Sequence, residues 1–161
     1  MMTGLQIAQA IESTPLAVEI ARSSWLFPLL ETLHVLAIAL VVGSIALLDI
    51  RLLGLGGMRR TVAEMMRSVL PWVWSAFVMA AICGALLFSS KATAYYVNLP
   101  FRFKFACLIL AAANMLAFHY SGDVARWESR PPPVRARTAA AISLVLWISI
   151  VAAGRWIGFT T

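Results

Sequence analysis

Charge is what this chain has least of. Only 12% of its 161 residues are Asp, Glu, Lys or Arg, against 61% that are hydrophobic. Ordinary soluble domains carry roughly a quarter charged residues, and so poor a polar surface cannot keep a chain of this size in water. Cysteine is equally scarce: Cys83 and Cys107 are the two present, both inside apolar runs, which excludes a disulfide framework and any CxxC metal or redox motif. No glycine-rich phosphate loop follows a strand pattern, and no nucleophile sits beside a base, so nucleotide chemistry and hydrolysis have no support. No internal repeat is visible. The start, "MMTGLQIAQAIESTPLAVEIARSS", lacks the basic leader, single apolar run and cleavage site of a secretory signal, so nothing is expected to be removed.

Four long apolar stretches remain, and the mean hydropathy of +0.86 follows from them. Crossing about 30 Å of hydrocarbon takes roughly 20 helical residues, and the pattern predicts spans near 26–50, 69–89, 103–121 and 138–158. The expected fold is all-α: an integral membrane four-helix bundle forming a single domain over 1–161. Residues 1–24, with apolar positions at Leu5, Ile7, Ile11, Leu16, Val18 and Ile20, predict a short amphipathic helix on the membrane surface. Pro28 suits a first helical turn, "GLGG" (54–57) breaks the chain after span one, Pro71 is expected to open span two, and Pro100 precedes span three.

The net charge of +6 does not mark a nucleic-acid binder, because the basic residues cluster between spans. Arg51, Arg59, Arg60 and Arg67 flank the first connection and Arg126, Arg130, Arg135 and Arg137 the third. In a four-span chain these share one side, which the positive-inside rule assigns to the cytoplasm. The expectation is a bacterial inner-membrane protein with both termini outward. Tyr95, Tyr96, Trp25 and Trp156 then fall near the outer boundary, and Trp72, Trp74 and Trp127 near the inner one, as aromatic belts do.

Ionisable groups at membrane depth are costly, so each is a functional candidate. Glu31 and His34 are three residues apart and share a helical face, with His34 about 12 Å below the outer surface by helical rise. Lys104 opens span three at the outer side, and Arg155 closes span four on the same side. They either snorkel to the interface, with Glu31 neutralising one of them, or surround a site at His34. A short imidazole cannot snorkel that far. His34 either hydrogen-bonds a neighbouring helix, ligates a haem or metal, or handles protons, with Glu31 tuning it.

His119 stands four residues before Asp123 and can pair with it. A haem held between His34 and His119 is disfavoured, because their depths differ by about 16 Å; His119, Asp123, Asp49 and Arg51 read as a structural polar cluster at the inner face. Copper would want soft ligands, and Cys83, Cys107, Met79 and Met115 occur in spans two and three, although methionines are ordinary gap fillers. Gly43, Ser44, Gly84 and Ala85 suit close helix packing, and Gly84 could equally leave room for a planar cofactor.

The order of these residues, His34, Gly43 and Arg51 in span one, "CGALLFSS" in span two and "PFRFKFACLILAAANMLAFH" in span three, resembles the copper-resistance D (CopD) family of bacterial inner-membrane proteins. It also resembles the four-helix protoporphyrinogen oxidase (HemJ) family of haem synthesis, over Leu29 to His119. The second resemblance implies that His34 is haem-associated and that Arg51 and Lys104 are functional basic residues. The leading expectation is haem b or another redox cofactor bound through His34, with Glu31, Lys104, Arg51 and Arg155 as its surroundings and His119 as a further candidate metal ligand. Its role would be electron transfer or oxidation of a lipophilic partner such as a quinone or porphyrin. Copper transport or resistance is the alternative, as is a structural accessory subunit of a larger membrane complex. Membrane lipids and a homo-oligomer complete the expected partners.

Overall fold

The computed structural model describes residues 3–55, 62–120 and 132–160. All seven elements among them are helices: α1 (Gly4–Glu12), α2 (Pro15–Arg22), α3 (Leu26–Leu52), α4 (Val62–Ser90), α5 (Ala92–Val97), α6 (Leu99–Tyr120) and α7 (Val134–Thr160). Four of these, α3, α4, α6 and α7, are long and apolar enough to cross a membrane. At 1.5 Å per residue the 27 residues of α3 reach about 40 Å, more than the hydrocarbon thickness. Large apolar side chains line their outer faces, among them Leu36, Leu47, Ile82, Ile109, Val145 and Ile148. Only 22% of the most apolar window of α3 is buried inside the protein. In water that surface would drive aggregation; lipid satisfies it, and the chain is a membrane protein.

Local sequence explains the boundaries. Where one N-terminal helix was expected, there are two, because Ser13 and Thr14 interrupt it. The Thr14 side chain accepts the Ala17 N–H while Pro15 occupies the first position of α2, where a missing N–H costs nothing. Ahead of α1, Thr3 and Gln6 cap each other reciprocally. Gly54, at φ +81°, ends α3: its N–H reaches the Arg51 carbonyl and that of Leu55 reaches the Ile50 carbonyl, the paired bonds of a Schellman turn. Pro71 does not open α4 but lies inside it. The helix starts nine residues earlier. The missing N–H of Pro71 leaves the Arg67 carbonyl without its helical donor, a loss that membrane helices tolerate; Ser75 donates to the Pro71 carbonyl at 2.9 Å and Ser68 to the Glu64 carbonyl at 3.0 Å on either side of it. Pro100 likewise lies within α6, just after its cap at Asn98.

Helix α3 packs along α4 and α7, and α6 packs along α7, whereas α4 and α6 do not pack along each other. The spans therefore stand in the order α4, α3, α7, α6, with one seam open between α4 and α6. Short helices close one end of this array. There α1 lies on α5 and α2 on α4, and Gly4 has no room for a Cβ because the Tyr96 hydroxyl occupies the space. Ile20 of α2 is buried with Leu30, Cys83 and Leu87. Glu12 accepts the Thr93 N–H at 2.9 Å, which ties α1 to α5. The opposite end holds Arg51, Arg67, Arg135 and Arg137; Arg59, Arg60, Arg126, Arg130 and Trp127 lie outside the described residues. Gly43 has nothing within 4 Å of where a Cβ would be, so it is not the close-packing point its sequence context suggests.

Candidate functional site

His34 lies on the third turn of α3 and is half-buried against α4. Its Nδ1 stands 2.7 Å from the Ala80 carbonyl oxygen, and since a carbonyl only accepts, Nδ1 carries the proton. Nε2 is then left with its lone pair, and it makes no hydrogen bond among the described residues. Gly84 makes the approach feasible. One turn beyond Ala80 on the same face, a Cβ at Gly84 would stand 2.9 Å from His34 Cε1 and 3.3 Å from Nδ1, closer than carbon atoms tolerate. The missing side chain thus makes room for the histidine's own imidazole, which settles what Gly84 accommodates.

Lys104 comes from the other side of the array. Half-buried on α6, it runs along α7 so that a Cβ at Gly154 would lie 3.6 Å from Nζ, an ordinary contact. Its charge acts on the His34 ring, so the two residues stand within electrostatic reach. Lys104 has neither hydrogen bond nor ion pair among the described residues. Glu31, a turn nearer the capped end, is exposed and faces Tyr95 of α5. Burial, and then the Glu31 charge, push the Tyr95 phenol above its ordinary range.

Three near-parallel rings bridge the seam above this group. Phe88 of α4 and Phe101 of α6 have centroids 5.4 Å apart, and Tyr95 stacks on both, at 6.2 Å and 5.4 Å. Near them stand the His34 imidazole and the Lys104 ammonium, within electrostatic reach of one another, the ammonium without a counter-ion among the described residues. Such a pair can ligate a metal centre through nitrogen while neutralising an anionic group beside it.

Two basic residues expected at this site are elsewhere. Arg155 is exposed, its guanidinium lying 4.8 Å over the ring of Phe159 one turn along; its neighbour Gly154, not Arg155, faces Lys104. Arg51 is in the last turn of α3, 17 positions from His34 and so about 26 Å along the axis. His119 belongs to α6, its backbone about 22 Å along that helix from Lys104; its side chain and Asp123 lie outside the described residues. The thiols are also apart. Cys83 packs with Ile20 and Leu30 and approaches Met79 Sδ at 3.9 Å, whereas Cys107 packs with Ala111 and Ile150. Among the described residues no three His, Cys, Asp or Glu side chains are grouped to hold a metal ion.

Sequence reasoning missed Ala80, Tyr95 and Gly154. A backbone carbonyl carries no sequence signal, Tyr95 read as an interface aromatic, and nothing singled out Gly154 within span four. It missed Asn98 as well. This buried amide caps α6 through the Phe101 N–H at 2.9 Å and donates to the Thr160 hydroxyl at 2.9 Å, joining the start of α6 to the end of α7.

The stretch 26–160 matches the family described as "Family of unknown function (DUF6644)". The match takes in all four spans and begins where α3 begins. No curated protein and no solved structure matches the chain.

Proposed function

This chain belongs to the DUF6644 family, and for it we propose a redox role: a bacterial inner-membrane protein that binds haem b, or another redox-active planar group, beside His34. It would serve electron transfer or the oxidation of a lipophilic partner such as a quinone or porphyrin. Both termini and the capped end face outward, on the strength of the arginines gathered at the other end. The observation that carries the reading is the hydrogen bond from His34 Nδ1–H to the Ala80 carbonyl. A ligating histidine commonly donates its second ring N–H to a carbonyl, which fixes tautomer and orientation; His34 is held that way, with Nε2 open.

The donor set fits such a group. Nε2 offers the single axial nitrogen that a haem iron takes from histidine, Lys104 a cation for a carboxylate at the haem edge, and Phe88, Tyr95 and Phe101 flat apolar surface. When bound, the haem supplies one-electron exchange, and the chain's own residues orient it, balance its charge and shield it. Haem b is preferred to copper because Cys83 and Cys107 belong to separate packing clusters and leave His34 without soft partners. The spaced-residue resemblance to the HemJ and CopD families is compatible with either.

Absorption spectra of protein purified from membranes and supplied with haem test this. A Soret band that is lost in His34→Ala and weakened in Lys104→Met is expected. No band in wild type, or one undiminished in His34→Ala, defeats the haem reading. Copper retained after Cu(I) loading and washing, by elemental analysis, would transfer the site to the alternative. Protein that binds neither and co-purifies with a larger complex would make it an accessory subunit.

A further inference from the structure

At the opposite end of α3 a carboxyl group is buried that the proposed redox role does not use. Asp49 is only 5% exposed, held between α3 and α7. The Ser143 hydroxyl of α7 hydrogen-bonds the carboxyl, while Oδ2 has no hydrogen-bond partner. One turn toward the arginine-rich end, Leu52, Ala136 and Ala140 are buried together with Leu53 and Phe118 packed on them, an apolar floor between Asp49 and the loops. The charged groups of that end are Arg51 on its own helix, Glu64 and Arg67 on α4, and Arg135 and Arg137 on α7; among the described residues none is paired with Asp49.

An ionised carboxylate with one hydrogen bond and no counter-ion among the described residues is expensive in such surroundings. A cation must balance it. A metal ion of the hard class takes about six oxygen ligands, and beside the Ser143 hydroxyl the side chains of Leu52, Ala136, Ala140 and Phe118 supply none; a proton needs a single acceptor atom. We infer that Asp49 is a proton-binding site within the membrane array, taking up and releasing a proton that exchanges with the arginine-rich side. The step is plain acid–base chemistry: the Asp49 O–H bond breaks, the proton passes to water, and the carboxylate keeps the electron pair and its Ser143 hydrogen bond. Fifteen residues separate Asp49 from His34, about 22 Å along α3, so the inference stands whether or not haem binds.

Infrared difference spectroscopy of the full chain in lipid tests it. The stretch of a protonated carboxyl, shifted by deuteration, is expected in wild type at mildly acidic pH, absent in Asp49→Asn, and lost reversibly as pH rises. Ser143→Ala, which removes the one bond available to the ionised form, should keep the band to more alkaline conditions; this variant serves even if Asp49→Asn folds poorly. The wild-type unfolding constant relative to Asp49→Asn should rise about tenfold per pH unit above the ordinary carboxylate range while the band persists, and level off once the band is lost, because only a folded state that still holds the proton releases it on unfolding. The inference is overturned by a wild-type spectrum without an Asp49-dependent band at any pH where the protein is folded. It is equally overturned if the band responds to sodium replacing choline and not to pH, which would make the occupant a metal cation.

Discussion

At Gly84 the absence of one methyl group decides where an imidazole can go. Gly84→Ala would place a carbon 2.9 Å from His34 Cε1, on the ring edge whose Nδ1 the Ala80 carbonyl already holds. Overpacking of that kind costs about 1–3 kcal/mol, and thermal unfolding in detergent should show it together with a diminished Soret band. Gly43→Ala is the control: it meets nothing within 4 Å and should be neutral or slightly stabilising, since alanine is the better helix former. Both glycines sit in apolar spans and read alike in sequence. His34 itself was legible as the ionisable group too deep to snorkel, but its partner was not, because every residue has a carbonyl and only packing selects Ala80. Arg155 shows the reverse: its position in the chain put it beside the site, yet its rotation about α7 lays it over Phe159.

Between elements, single polar contacts do the joining. Asn98→Ala removes both the cap of α6 and the link to Thr160; a loss of about 1–2 kcal/mol is expected, readable as a lower unfolding midpoint, whereas Asn98→Asp should retain the cap but not the donated bond. Glu12 holds α1 to α5. Its hydrogen bonds from the Thr93 hydroxyl and N–H keep its carboxyl below the ordinary value of 4.5. A carboxyl depressed in the folded state contributes stability above its unfolded pKa and loses it as pH falls through the folded one. Amide exchange at Thr93 should therefore quicken below the normal glutamate range, and Glu12→Gln should remove that acid dependence. The caps at Thr3 and Thr14 follow local rules, and so does the split between α1 and α2 at Ser13–Pro15. Pro71 misled because proline opens helices more often than it sits within them, whereas membrane helices tolerate it in their interior.

Across the whole molecule, the arginines should decide orientation. With Cys83 and Cys107 buried, an impermeant maleimide should leave intact wild-type cells unlabelled, label Ser24→Cys from outside, and label Arg135→Cys only after the membrane is opened; the reverse pattern would invert the topology and place the His34 site toward the cytoplasm. Composition alone determined that the chain lives in a membrane, that it crosses four times and that its basic residues gather at one end, because lipid selects long apolar helices whatever their packing partners. It also determined which few ionisable groups lie at depth. The tertiary structure decided which of them meet. The order α4, α3, α7, α6 and the rotation of each helix bring Lys104 toward His34, turn Arg155 away, part the two thiols and bury Asp49 against Ser143. Those outcomes depend on contacts between residues far apart in sequence, and in lipid, where one apolar face is as good as another, hydrophobic periodicity carries little record of them.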